Sequence, residues 1–323
     1  MRFEAILVDE SGAPALVSLD DSDLMDGDVD LEVSHSAINF KDGLALTGKG
    51  KVIRRFPMIP GVDLAGRVIR SRDSRYAPGD LVVATGCGLG ESHYGGFAQK
   101  ARLAGDWLTP LPAGLTPARA MALGTAGITA MFCVLALEKF GRAPADGPVV
   151  VTGAAGGVGS LAVALLAARG WRVAAVTGRP EEEAFLRGLG ASDIVPRASL
   201  AEPGKPLQER RYAAAVDTVG GVTLANLLAQ MDWGGAVAAT GNVGGMEFPG
   251  NVAPFILRGV ALLGVESVRP QIELRRAAWT RLAADLPPEL IDAMHEIAPF
   301  SQILDRAQAI VAGKIRGRCV IEM

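Results

Sequence analysis

Side chains that ligate metals or form disulfides are scarce in this chain. Its 323 residues hold three cysteines and three histidines. Cys87, Cys133 and Cys319 form no CxxC pair, so neither a disulfide framework nor a cysteine cluster is expected, and a reducing cytoplasm is the expected compartment. His35, His93 and His295 are scattered, without companions at the spacing a zinc site needs, so no metal site is expected. A basic excess is also missing. The formal charge of −3 argues against a nucleic-acid-binding surface. The N-terminus, MRFEAILVDESG, has no apolar signal core. Two uncharged runs, Ala120 to Leu137 and Pro148 to Ala168, are long enough to resemble spans but rich in Ala, Gly and Thr. The second divides into strand, glycine turn and helix, so no membrane association is expected.

What is present is an ordinary globular composition, 49% hydrophobic and 21% charged, in a chain long enough for two cores. The first 110 or so residues carry β-type runs punctuated by Gly, Pro and Asp: FEAILV, DVDLEVSHS, LAGRVIR, DLVVATG and GGFAQKARL. They predict a small twisted all-β domain, a partly open barrel. Thr116 as N-cap and Pro117 at the first helical position predict one long buried helix ending near Gly141. From Pro148 the pattern changes to six apolar strands, VVVTG, WRVAAVTG, DIVP, AAAVDTV, GAVAATG and VALLGVE. Helical stretches fall between them near 158–169, 181–189, 222–231 and 252–258. This alternation predicts an α/β doubly wound parallel sheet. An amphipathic helix near 303–312 and a final strand in RGRCVIEM close the chain.

The turn Gly153-Ala154-Ala155-Gly156-Gly157-Val158-Gly159-Ser160 follows an apolar strand, opens a helix and closes a βαβ unit of about 30 residues, as a dinucleotide site requires. Aligned to the fingerprint, Ala154 takes the first glycine place, Gly156 the second and Gly159 the third. Gly156 would admit the pyrophosphate, and the helix from Gly157 would aim free N–H groups at it. The next strand lacks the carboxylate that grips an adenosine ribose. It ends instead in Thr177, Gly178 and Arg179. A guanidinium there suits a 2′-phosphate, so the expected cofactor is NADPH; a solvated surface charge is the alternative. Glu181, Glu182 and Glu183 come too late for the ribose and read as the first turn of the next helix, with Pro180 leading it.

Three strings resemble the medium-chain dehydrogenase/reductase superfamily, in its zinc-free acryloyl-CoA reductase or quinone oxidoreductase-like branch. They are NFKDGLALTGKGKVIRRFPMIPGVDLAG, DWL…GTAGITAMFCVLALE and PFILRGVALLGVESV. The resemblance covers essentially the whole chain. It implies a GroES-like catalytic domain over residues 1–120, completed by about 295–323, and an NADP-binding Rossmann domain over 121–294. Gly61-Val62-Asp63 stands where zinc-dependent relatives would carry ligands. The implied activity is NADPH-dependent reduction of the C=C bond of acryloyl-CoA or a close short-chain enoyl-CoA, with hydride going to the β carbon. An NADPH:quinone oxidoreductase is the alternative, and a non-catalytic nucleotide sensor a third.

The resemblance further implies that Gly157 to Ser160 hold the pyrophosphate and Thr177 to Arg179 the 2′-phosphate. By the same resemblance Phe40, Arg197, Asn242, Ile256, Ser267 and Arg316 line the NADP pocket. Catalytic donors are implied in INFKDG, Ile38 to Gly43, where Asn39, Lys41 and Asp42 are the polar candidates. Phe40 stands where relatives often have Tyr, and phenylalanine can only pack. Asp42 as partner of Lys41, or Asn39 and Asp42 as mere satisfiers of a turn's backbone, are the plainer readings. In GKGKVIRR, Lys49, Lys51, Arg54 and Arg55 place four positive charges in seven residues. Lys49 and Lys51 are candidates for CoA phosphates, against the alternative of a solvated basic loop. Arg316 or Arg318 could equally be edge-strand charges. The last apolar strand, VALLGVESV, suggests a homodimer joined along a sheet edge.

Overall fold

The structure, a computed structural model, describes residues 2–269 and 272–323. It divides into two compact units. The first comprises Met1–Thr125, Ser267–Ala283 and Pro287–Met323, and the second Ala126–Glu266 and Ala284–Leu286.

The first unit begins with an antiparallel hairpin, β1 (Phe3–Val8) and β2 (Pro14–Leu19). A mixed sheet of seven strands follows, starting with β3 (Val29–Ile38) and β4 (Asp63–Ser71), joined through α1 (Phe40–Thr47). β5 (Leu81–Thr85), β6 (Lys100–Leu103) and β7 (Leu108–Pro110) continue it. The inward residues of β3, β4 and β5, among them Leu31, Val33, Leu64, Val68 and Val82, share one apolar core. The short helix α1 was not anticipated, because INFKDG reads locally as a turn.

α2 (Pro117–Lys139) leaves this unit and enters the second. The expected single helix is broken: Gly124 has φ +47° and ψ −152°, outside helical geometry. Asp63 causes the break, since its carboxylate accepts from the Thr125 N–H (2.9 Å) and hydroxyl (2.6 Å). Among the described residues α2 is the one helix long and apolar enough to cross a membrane, and 83% of its most apolar window is buried.

The second unit alternates strand and helix: β8 (Val149–Val151), α3 (Gly157–Ala168), β9 (Val173–Thr177), α4 (Glu183–Gly188) and β10 (Ala191–Pro196). It continues with β11 (Tyr212–Asp217), α5 (Gly221–Ala229), β12 (Met231–Ala239), α6 (Ala253–Arg258) and β13 (Ala261–Gly264). All neighbours pair in parallel, in the order β10-β9-β8-β11-β12-β13. Every residue of β8, β9 and β11 is buried, as a sheet covered on both faces requires. The doubly wound sheet expected from the sequence is the one observed, built from the six strands anticipated.

The chain then returns to the first unit through α7 (Ile272–Asp285), α8 (Pro288–Ala293), β14 (His295–Pro299), α9 (Ile303–Val311) and β15 (Arg318–Glu322). β15 pairs antiparallel with β3 and parallel with β14, so the sheet runs β14-β15-β3-β4-β5-β7, with β6 also on β3. α7 escaped the sequence reading because its polar composition shows no clean apolar stripe. Its buried face includes an arginine, Arg275, beside Trp279 and Leu282.

Candidate active site

In the second unit the glycine turn connects β8 to α3. Gly153 has φ +60°, a conformation costly for any residue with a Cβ, so the tight-turn role falls to Gly153 and not to Ala154. A Cβ on Gly159 would run into the Gly153 carbonyl, which ties the helix start to the strand end. Gly156 is the N-cap and offers no side chain to the helix terminus. The N–H groups of Gly157, Val158 and Gly159 therefore lie in the first turn, where no helical carbonyl reaches them, while the Ser160 N–H is bonded to Gly156 O at 2.9 Å. The Ser160 hydroxyl is buried and faces the Gly157 carbonyl at 3.2 Å. A backbone cradle that a Cβ would fill, beneath a positive helix end, fits a pyrophosphate.

Two strands flank this turn. At the end of β9 the buried Thr177 hydroxyl accepts from the Arg179 N–H at 3.0 Å, closing a local turn. The Arg179 guanidinium reaches back to the glycine turn and donates to Ala155 O at 2.8 Å. Arg197, just after β10, lays its guanidinium against Gly178: a Cβ there would lie 2.6 Å from its central carbon. Arg197 thus packs on the glycine that directly precedes Arg179. Glu182, read from the sequence as part of the next helix's first turn, is buried, with Oε1 3.6 Å from the Arg179 guanidinium. On β11, Asp217 is buried and accepts from the Thr152 hydroxyl (2.6 Å) and the Gly220 N–H (2.8 Å). Burial raises its pKa above the usual carboxylate range, against those bonds. Asn242 and Ile256 are exposed, Ile256 at 73%, and the Asn242 amide lies 2.8 Å from the Met246 sulfur.

In the first unit Asn39 and Asp42 lie at the start of α1. Asp42 is 2% exposed and accepts from the Asn39 N–H (2.8 Å) and from the Val62 N–H (3.0 Å). The Asn39 amide bridges two buried carboxylates, donating to Asp63 at 2.8 Å and to Asp42 at 3.1 Å, while its carbonyl accepts from Arg318 at 3.0 Å. Burial, and secondarily the charge of Asp63, push Asp42 up to about 7. Arg318 also donates to Ala122 O at 2.9 Å and is 2% exposed. It is not an edge-strand charge, because β15 lies between β14 and β3. Burial lowers its pKa, opposed by Asp63.

Lys41 does not pair with Asp42. Its ammonium meets Glu91 at 2.6 Å, and the Arg54 guanidinium lies 3.7 Å from the other oxygen of that carboxylate. The Lys41 side chain is 34% exposed and Phe40 half-buried, whereas Asp42 is buried. Lys49 and Lys51 are exposed on the loop after α1. Ser267 is held through its carbonyl by the buried Arg275 at 3.1 Å, and Arg316 is exposed. Sequence reasoning missed Glu91, Asp217 and Arg275. The one available signal was a charged residue inside an apolar run, as in AAAVDTV. Among the described residues no group of three or more His, Cys, Asp or Glu is placed to hold a metal ion.

Residues 25–113 match the alcohol dehydrogenase GroES-like domain, and residues 157–284 the zinc-binding dehydrogenase family. The chain is 49% identical to the probable acrylyl-CoA reductase AcuI of Escherichia coli, over 99% of this chain and all of that protein. It is 48% identical to the acrylyl-CoA reductase AcuI of Ruegeria pomeroyi, over 99% of each. Among solved structures, the yhdH oxidoreductase of Salmonella enterica in complex with NADP superposes with a TM-score of 0.96 at 48% identity, covering all of both chains. The chain belongs to the medium-chain dehydrogenase/reductase superfamily, in the zinc-independent branch of acryloyl-CoA reductase and quinone oxidoreductase homologues.

Proposed function

We propose that this protein is an NADPH-dependent reductase of the C=C bond of acryloyl-CoA or a close short-chain enoyl-CoA. The end-to-end identity to two acrylyl-CoA reductases carries the reading. The Arg179–Gly178–Arg197 arrangement and the NADP complex of the Salmonella relative support the cofactor. Gly156 to Ser160 hold the pyrophosphate, and Thr177, Gly178, Arg179 and Arg197 the 2′-phosphate. Phe40, Asn242, Ile256, Ser267 and Arg316 complete the contacts.

Bound NADPH supplies the hydride that adds to the β carbon. Negative charge then develops on the thioester oxygen, and a proton must reach the α carbon. Lys41, its ammonium oriented by Glu91, stabilises that charge or orients the proton-carrying water. Asn39 and Asp42 hold the start of α1 that carries Lys41. Lys49 and Lys51 meet the CoA phosphates. The protein works in the cytoplasm as a homodimer joined along β13, the last strand of its sheet, where Leu262 is 36% exposed.

Nicotinamide oxidation, followed with acryloyl-CoA and with a simple quinone under NADPH and NADH, tests the assignment. Fast turnover is expected only with NADPH and acryloyl-CoA. Turnover with the quinone alone would move the protein to the quinone reductases. Replacing Lys49 and Lys51 with Ala is expected to raise KM for the CoA ester and not for NADPH; equal effects on both would sink their assignment.

A further inference from the structure

Three consecutive acids follow Pro180, and they do different things. Glu181 is exposed, and Glu183 is exposed and paired with Arg187 at 2.7 Å along α4. Glu182 alone is buried, at 9% exposure, and its carboxylate lies against the arginine at the end of β9. The Arg179 guanidinium also donates to the Ala155 carbonyl at 2.8 Å. That bond aims the guanidinium at the glycine turn, and the Glu182 carboxylate 3.6 Å away acts on its charge. Arg179, Arg197 and Glu182 together carry one net positive charge where the arginines alone would carry two.

We infer that Glu182 is a specificity-determining residue that opposes the 2′-phosphate and so tempers the preference for NADPH over NADH. The inference rests on the NADPH reading above. A dianionic phosphate placed on Arg179 is repelled by a mostly desolvated carboxylate, whose field solvent screens poorly. A ribose 2′-hydroxyl brings no charge, and can donate a hydrogen bond to a carboxylate acceptor. Glu182 thus penalises one cofactor and leaves the other unpenalised.

The test is a set of dissociation constants for NADPH and NADH, read from nicotinamide fluorescence, in wild type, Glu182→Gln, Glu182→Ala and Glu183→Gln. Thermal unfolding of each variant checks that it is folded. Both Glu182 variants are expected to tighten NADPH about fivefold or more, with NADH unchanged or weaker. Glu183→Gln removes the same charge from the same turn without touching Arg179, and is expected to shift neither constant by more than about twofold. Weaker or unchanged NADPH binding in the Glu182 variants overturns the inference, as does an equal effect from Glu183→Gln. A wild type that binds both cofactors equally overturns the NADPH reading itself, and with it this proposal.

Discussion

Asp42 and Arg179 show how one residue's surroundings decide what its charge does. Asp42 looks in the sequence like a candidate acid or base beside Lys41. Buried beside Asp63, it holds its proton up to about pH 7. The folded pKa exceeds the unfolded value of about 4, so the folded state binds the extra proton between those limits. The associated stability is fully present below pH 4 and is lost as pH rises to 7, by at most about 4 kcal/mol. Asp42→Asn cannot titrate, so urea unfolding from pH 4 to 8 is expected to give a flatter profile than wild type. An unchanged slope would show that Asp42 does not titrate in that window. At Gly178 the relevant property is the missing side chain. Gly178→Ala places a methyl 2.6 Å from the Arg197 guanidinium carbon and displaces it. KM for NADPH is expected to rise about tenfold, while that for NADH stays within about twofold.

At the scale of elements, the informative feature is the break in α2. Its composition favours an unbroken helix, and nothing in GTAGITAMFC marks Gly124 apart from Gly127. The difference arises 61 residues upstream, where Asp63 needs hydrogen-bond donors because it is fully buried. The Thr125 N–H and hydroxyl satisfy it, and Gly124 adopts φ +47° to present them. Gly124→Ala adds a left-handed penalty and a Cβ 2.6 Å from the Asp63 carboxylate. The expected loss is about 2–4 kcal/mol, read as a lower urea midpoint. The glycine turn before α3 was legible because its constraint is local: strand, phosphate cradle and helix start lie within eight residues.

At the scale of the whole molecule, the proposed pairing along β13 predicts a dimer of this chain in solution. Leu262→Arg places a charge on that edge strand and is expected to move the protein to the monomer position in gel filtration, with its thermal midpoint little changed. A wild-type monomer would remove the pairing. The parallel sheet, its six strands and the cofactor turn were determined by the sequence alone. Runs such as VVV and VAAVT bury both faces wherever they lie, and glycine spacing acts over a few bonds. Only the tertiary structure decided which acids do what. Asp42, Asp63, Glu91 and Glu182 are alike as acids in the sequence, and each takes its role from donors or cations 3 to 255 positions away: Val62 and Asn39 for Asp42, Arg318 for Asp63, Lys41 for Glu91, Arg179 for Glu182. Electrostatic energy depends on distance in space and on burial, and neither is written in local order along the chain.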